Sequence, residues 1–355
     1  MAIQHYLDVF NDFLWGYPML ILLIATHLFL TIKLGFIQKY VFHAIKLSVS
    51  KDTGQGVVSN FGAMAVSLAA TIGTGSILGV TTAIVLGGAG SIFWMIVIGI
   101  FGIATKYTEC TLAVKYRLKN KNGEFIGGPM YVMKNFLRMK KLALFFVIAG
   151  LFTGIIAGGM LQVNSIAEIL NDAYNVNNTM VGLAIAVLIA IIIIGGVKWI
   201  SNVCTWVVPF MGGLYLLAAI YIFITHIHQV PYVISIIFKS ASSLQSAGGG
   251  VLGAGIMAAI ANGASRSVMA TESGMGSSAI VSAAAKTGNP VHQGLIASTS
   301  VFWTIIICTL TGFIILLAGD WQTGSKFAAD LCNSAFKKIP YVGTPIFVIS
   351  LTTFS

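Results

Sequence analysis

The sequence has 355 residues, of which 57% are hydrophobic and only 8% charged, with a mean hydropathy of +0.91. A soluble domain carries about 25% charged residues, so the composition excludes one and predicts an all-α polytopic membrane protein. The formal charge of +10 raises nucleic-acid binding, and the placement of those charges along the chain then excludes it.

Residues 1–13 hold Asp8 and Asp12 and no Lys or Arg. The apolar run 14–34 lacks the basic leader and small-residue cleavage site of a signal peptide, so it reads as a retained first span. Between Lys33 and Lys51, Lys39 and Lys46 are interleaved with Phe36, Ile37, Val41, Phe42 and Ile45. That pattern predicts a short helix lying on the membrane face.

Residues 57–90 form an uncharged segment longer than the roughly 20 residues needed to cross a bilayer. Its centre carries Gly73, Gly75 and Gly79 with Thr71, Thr74 and Ser76, where a plain anchor would carry Leu and Val. Glycine weakens a helix, and a break is tolerated at membrane depth only in protein or against a watery cavity. Two readings stand: Gly75 and Gly79 as a small-xxx-small packing pair, or a discontinuous helix whose centre binds a solute. A dinucleotide fingerprint is excluded, because the glycine spacing is one residue too long and no acidic residue follows in the span.

A third span is predicted over 91–114, containing Lys106 and Glu109 three apart on one helix face. They read as a structural pair or, alternatively, as a proton relay. Residues 115–141 carry eight basic residues against Glu124 alone. Spans follow at 142–170, 180–196 and 203–225, the last with Pro209, then an amphipathic connector at 231–244. The fourth span carries Gln162 and Ser165 on a small-residue face. Gly248-Gly249-Gly250 opens a second anomalous span, which runs through Ala261-Asn262-Gly263-Ala264-Ser265-Arg266 and on through Glu272-Ser273-Gly274-Met275-Gly276-Ser277-Ser278 and reads as interrupted, with Arg266 and Glu272 pairing at its cytosolic end. An eighth span is predicted over 295–318. A ninth begins at Tyr341 and has about 15 residues, below the crossing length, so the second half is expected to be incomplete. The four cysteines, Cys110, Cys204, Cys308 and Cys332, form no C-x-x-C or Cys/His pattern and indicate neither a metal site nor a disulfide framework.

With the N-terminus outside, the basic residues of 33–51, 115–141, Lys198, Arg266 and Lys286 all fall in the cytosol, and only Lys239, Lys326, Lys337 and Lys338 fall outside. The positive-inside rule explains that bias. In this topology the two interrupted spans run in opposite directions with four spans between them, as in an inverted five-helix repeat. The expected organisation is a leading helix and connector (1–56), a first repeat (57–228), an external connector (229–246) and an incomplete second repeat (247–355). Geometry then assigns chemistry. A half-helix starting after the break offers free N–H groups at Thr74, Gly75 and Ser76 to an amino acid carboxylate. Carbonyls before it, at Ala69 and Ile72, are left to ligate Na⁺, a hard cation that wants oxygen. A channel would need a ring of charge or repeated carbonyl filters, and an enzyme a nucleophile–base or metal set; neither pattern is present in the spans.

Several motifs, in this order and spacing, resemble the alanine or glycine:cation symporter family (sodium:alanine symporters) over nearly the whole chain. They are Ala69-Ala70-Thr71-Ile72-Gly73-Thr74-Gly75-Ser76-Ile77, Ala104-Thr105-Lys106-Tyr107-Thr108-Glu109 and Gly127-Gly128-Pro129-Met130-Tyr131. Gln162-Val163-Asn164-Ser165, Asn262-Gly263-Ala264-Ser265-Arg266 and Glu272-Ser273-Gly274-Met275-Gly276-Ser277 complete the set. The resemblance implies a leucine-transporter-like inverted repeat with one extra N-terminal helix, in a cell membrane protein importing alanine or glycine with Na⁺. It implies that Thr74, Gly75 and Gln162 hold the substrate carboxylate, that Thr71 and Asn262 line the pocket, and that Met257 limits side-chain size. By analogy of fold it also implies one Na⁺ between the Ala69 and Ile72 carbonyls and the hydroxyls of Thr352 and Thr353. A monomer in the lipid bilayer is expected, with a small neutral amino acid and Na⁺ as partners. Two residues depart from the family pattern: Ser76 stands where Asn is usual, and Trp303 where many members have Asp.

Overall fold

The computed structural model describes residues 5–6, 13, 16–51, 54–242, 256–319, 321 and 328–339. Helix α1 (Tyr17–Lys33) opens with Pro18 in its first turn, where the missing N–H costs nothing. After Gly35 the chain bends by 65° into a 3₁₀ turn (Ile37–Tyr40) and α2 (Val41–Ser48). Val41 and Ala44 of α2 are buried, whereas Phe42 is 73% exposed, as suits a helix lying in a membrane surface.

The long uncharged segment is two helices, α3 (Asn60–Thr71) and α4 (Thr74–Gly87). Helix α5 (Gly90–Lys115) follows, then a hairpin of β1 (Leu118–Lys119) and β2 (Phe125–Ile126), with Leu118 opposite Ile126. A short helix α6 (Pro129–Tyr131) leads into α7 (Lys140–Thr153), which passes through a widened turn (Gly154–Met160) into α8 (Leu161–Tyr174). Helices α9 (Asn178–Ile194), α10 (Gly196–Thr225) and α11 (Val230–Ser242) complete the first half. The second half holds α12 (Ile256–Thr271), α13 (Ser277–Ala283), α14 (Pro290–Ala318) and α15 (Ala328–Phe336).

Among the described residues, five helical stretches are long and apolar enough to cross a membrane: Asn60–Gly87, Gly90–Lys115, Lys140–Asn171, Gly196–Thr225 and Pro290–Ala318. The protein is therefore an all-α, multi-pass membrane protein. Its core lies where α3, α4, α5, α8, α10 and α14 converge, and includes Leu68, Ile72, Ile77, Ile92, Ile166, Met211 and Ile314. Leu144, Phe145, Leu151 and Phe152 on α7 are exposed. Such an apolar outer surface requires lipid as its solvent.

Three sequence expectations are corrected. The second anomalous span is interrupted at 272–276 and not at 261–266: α12 runs through the earlier stretch as one helix to Thr271, and α13 begins at Ser277. Asn262 donates its side-chain N–H to the Ala258 carbonyl one turn back, at 2.9 Å, and Gly263 lies against the α5 backbone. A Cβ there would sit 2.7 Å from the Ser91 carbonyl oxygen, so the small residue serves close helix contact. Lys106 is fully buried yet is not paired with Glu109; its Nζ donates to the Glu272 carbonyl at 3.3 Å. Arg266 and Glu272 also stand apart: Arg266 meets the Met269 sulfur, and Glu272 accepts from the Ser277 hydroxyl. Main-chain and local acceptors were nearer than the opposite charges. Gly248-Gly249-Gly250 and the expected ninth span lie outside the described residues.

Candidate functional site

The break falls at Ile72 and Gly73. Helix α3 begins at Ser59, whose hydroxyl accepts the Gly62 N–H at 2.9 Å, and its last regular bond runs from Ile72 N–H to the Leu68 carbonyl. Ile72 then turns extended, with ψ of 93°. The Gly73 N–H, which a continuous helix would give to Ala69, is taken instead by the Ser76 hydroxyl at 3.1 Å. The same hydroxyl donates back to the Gly73 carbonyl at 3.1 Å. That carbonyl also accepts the Ser76 and Ile77 N–H groups, starting α4.

These bonds determine which backbone groups remain. Gly73 has withdrawn its N–H from the Ala69 carbonyl, and Ser76 its N–H from the Ile72 carbonyl. On the other side, Thr74 and Gly75 contribute the first two N–H groups of α4, ahead of the first bonds that α4 makes. Unpaired N–H groups and the positive end of a helix dipole attract anions, and unpaired carbonyls attract cations. One two-residue break thus presents N–H groups on one edge and carbonyls on the other. Ser76 is fully buried and is spent on the cap, so in this chain its side chain is a structural part of the break.

The surroundings come from three elements. Thr304 of α14 donates to the Thr71 hydroxyl at 2.9 Å, and Thr71 donates to the Leu68 carbonyl at 3.2 Å. Both threonines are buried. On α12, the Met269 carbonyl and the Ala270 Cα lie 3.7 and 3.8 Å from where a Cβ on Gly75 would stand. Helix α8 packs against α4, and its Gln162 lies one turn before Ile166, which shares the core with Ile72 and Ile77. The Gln162 Oε1 is buried and has no hydrogen-bond partner among the described residues.

The structure gathers Ala69, Thr71, Ile72, Thr74 and Gly75 at the break and packs the Gln162 helix against α4. It places Asn262 elsewhere: a Cβ on Gly87, at the far end of α4, would lie 3.0 Å from the Asn262 Cβ. Residues 269–270 of the same helix are the ones that face the break. Met257 lies in the first turn of α12, with its side chain outside the described part. Thr352 and Thr353 lie outside the described residues altogether. The expected free N–H at Ser76 is corrected: it bonds the Gly73 carbonyl, and the Ser76 hydroxyl takes the Gly73 N–H, a capping role that a hydroxyl three residues after the N-cap signals. Thr304 escaped the sequence reading, with no signal beyond lying in a long apolar span.

A polytopic helical protein whose broken span presents opposite polarities to one point belongs to the class of membrane transporters. A family model described as the sodium:alanine symporter family matches residues 1–355. A transporter of Haemophilus influenzae is 43% identical over 340 residues, covering 95% of this chain and 75% of that protein. The sodium/alanine symporter AgcS of Methanococcus maripaludis is 42% identical, covering 87% of this chain and 69% of that protein. The probable sodium/glutamine symporter GlnT of Bacillus subtilis is 36% identical, covering 90% and 67%. The chain belongs to the sodium:alanine symporter family. It is a cation-coupled amino-acid symporter by class, and not an enzyme.

Proposed function

We propose that this protein imports a small neutral amino acid, alanine or glycine, together with Na⁺, by alternating access. The observation that carries the reading is the break itself, with N–H groups at Thr74 and Gly75 and carbonyls at Ala69 and Ile72 that are free of their helical partners. In this reading the substrate carboxylate lies on the Thr74 and Gly75 N–H groups, and Gln162 reaches it from α8. Na⁺ lies on the Ala69 and Ile72 carbonyls, with Thr352 and Thr353 completing its shell. Thr71 lines the remaining space, with the main chain of Met269 and Ala270 opposite Gly75. Among the described residues no acidic side chain stands at the break, so in this reading the cation's charge is balanced by the substrate's own carboxylate. That arrangement makes each solute improve the site for the other, by the same factor in both directions.

The wider reading has an inverted repeat over 57–228 and 247–355, a plasma-membrane location, an external N-terminus and a monomeric carrier. The charge bias of the loops supports the orientation, and the resemblance to the family supports the repeat. A larger neutral substrate of the glutamine type is the second reading, favoured by the similarity to the B. subtilis relative.

Calorimetric titration of the purified protein with alanine, glycine and glutamine, in Na⁺ and in K⁺ buffers, tests both readings. Heat of binding only in Na⁺, with alanine or glycine tighter than glutamine, is the expected result. Equal binding in the two buffers would overturn sodium coupling, and tighter glutamine would overturn the small-substrate reading.

A further inference from the structure

Two residues beyond the end of α5, Arg117 turns back under the bundle. Its Nη1 donates to the carbonyls of Ala283 (3.1 Å) and Ala285 (2.9 Å), and its Nη2 to those of Thr287 (2.7 Å) and Gln55 (3.3 Å). The guanidinium also lies 3.8 Å over the Phe125 ring of the hairpin. One planar, five-donor cation thus gathers main-chain oxygens from two segments distant in sequence. One of these segments leads into α3, the first half of the broken span. The other closes α13, which follows α12.

The two segments also bond to each other. Val57 and Val58 N–H groups both reach the Ala284 carbonyl, at 2.9 and 3.2 Å, and the Lys286 N–H reaches the Val58 carbonyl at 2.7 Å. The approach is close enough to demand glycine: a Cβ on Gly56 would stand 2.4 Å from the Ala285 carbonyl carbon, and one on Gly54 2.3 Å from that of Thr287. Behind the seam is a tight cluster of small buried residues, Cys110, Ala113, Ala279, Ala283 and Ala297. Deeper still, Lys106 of α5 holds the Glu272 carbonyl, so α5 and the loop that follows it each supply a cation to the main chain around α13.

We propose that the seam of residues 54–58 against 283–287 is the cytosol-side closure of the transport path, with Arg117 the positioning residue that holds it shut. The inference rests on the symport reading, which requires one face of the break to be sealed while the other is open. The seam ties down the chain that enters the broken helix, on the face that carries the basic loops. Its acceptors are carbonyls and not carboxylates, so it can part without leaving a buried carboxylate unpaired. Partial burial lowers the Arg117 pKa, yet a guanidinium stays charged at physiological pH. The clasp therefore responds to the motion of α3 and not to pH.

Cys110, fully buried behind the seam, is a built-in reporter of its opening. Maleimide labelling of the full chain, resolved by peptide mass spectrometry, reads Cys110 beside Cys308 and Cys332, which are buried elsewhere. Arg117→Gln is expected to speed labelling of Cys110 by about tenfold, as a modest shift toward the open state gives, with Cys308 and Cys332 unchanged. Arg117→Lys, which keeps the charge but not the fork, should fall between. Gly56→Ala, which wedges the seam at the Ala285 carbonyl while keeping the Arg117 side chain, should also raise Cys110 selectively. Unchanged Cys110 labelling in both Arg117→Gln and Gly56→Ala overturns the proposal. So does a parallel rise at all three cysteines, because that reports a general loss of structure. A selective response to the substitutions with no response to Na⁺ plus alanine would keep the closure and sink the symport reading.

Discussion

The stretch from Leu68 to Gly79 and helix α12 look alike in sequence, since both set glycine and polar side chains in an apolar run. They take opposite courses. At Gly73 the helix stops, because the Ser76 hydroxyl offers the glycine N–H and carbonyl a local substitute for helical bonding. At Gly263 the helix continues, because Asn262 bonds within its own turn and the space beside the glycine is filled by the α5 main chain. Small residues in a membrane helix permit either a break or a close approach. The partner that claims the backbone decides which one occurs.

Substitutions at the two places can break that contrast. The largest expected effect is at Gly263→Ala, whose Cβ would meet the Ser91 carbonyl at 2.7 Å and the Trp94 Cβ at 2.9 Å. Forcing a methyl into a backbone contact costs about 1–3 kcal/mol, and a melting curve in detergent should show a drop of several degrees. An unchanged melting point would mean that α12 and α5 do not need this contact. Ser76→Ala comes next. It deprives the buried Gly73 N–H of its acceptor, at about 1–2 kcal/mol, and should also shrink the thermal stabilisation that Na⁺ and substrate give together. If only the melting point falls and that ligand-induced gain is intact, the cap is irrelevant to the site. The smallest effect is expected at Gly75→Ala, where, among the described residues, no atom outside the local chain comes nearer than 3.7 Å. Stability should stay within about 1 kcal/mol of the parent, on the favourable side for a helical position. A loss as large as that of Gly263→Ala would erase the distinction between the two stretches.

Most spans were legible because hydropathy over some 20 residues is a property of composition alone. The break was legible for a related reason: glycines and hydroxyls at the centre of an uncharged span have no place in a plain anchor. What sequence could not show is which acceptor each polar group finds. Lys106 and Glu109 share a helix face, yet the ammonium bonds a carbonyl on another element. Asn262 carries the motif, yet Met269 and Ala270 of the same helix face Gly75. Thr304 meets Thr71 across 233 positions of chain, a contact that only the packing of α14 on α3 creates. Arg117 read as one more basic residue in a cytosolic loop, because charge counting does not separate a solvated cation from one that gathers four carbonyls.

The Ser76 clasp on Gly73 is made entirely within the chain, with no solute needed to complete it. The free energy that opens the helix is therefore part of folding and is not drawn from binding. On the proposed reading, an arriving carboxylate or cation meets aligned dipoles at full strength, without a fraction of its affinity being lost to populating a rare open form. The same reading keeps the site formed between one pair of solutes and the next.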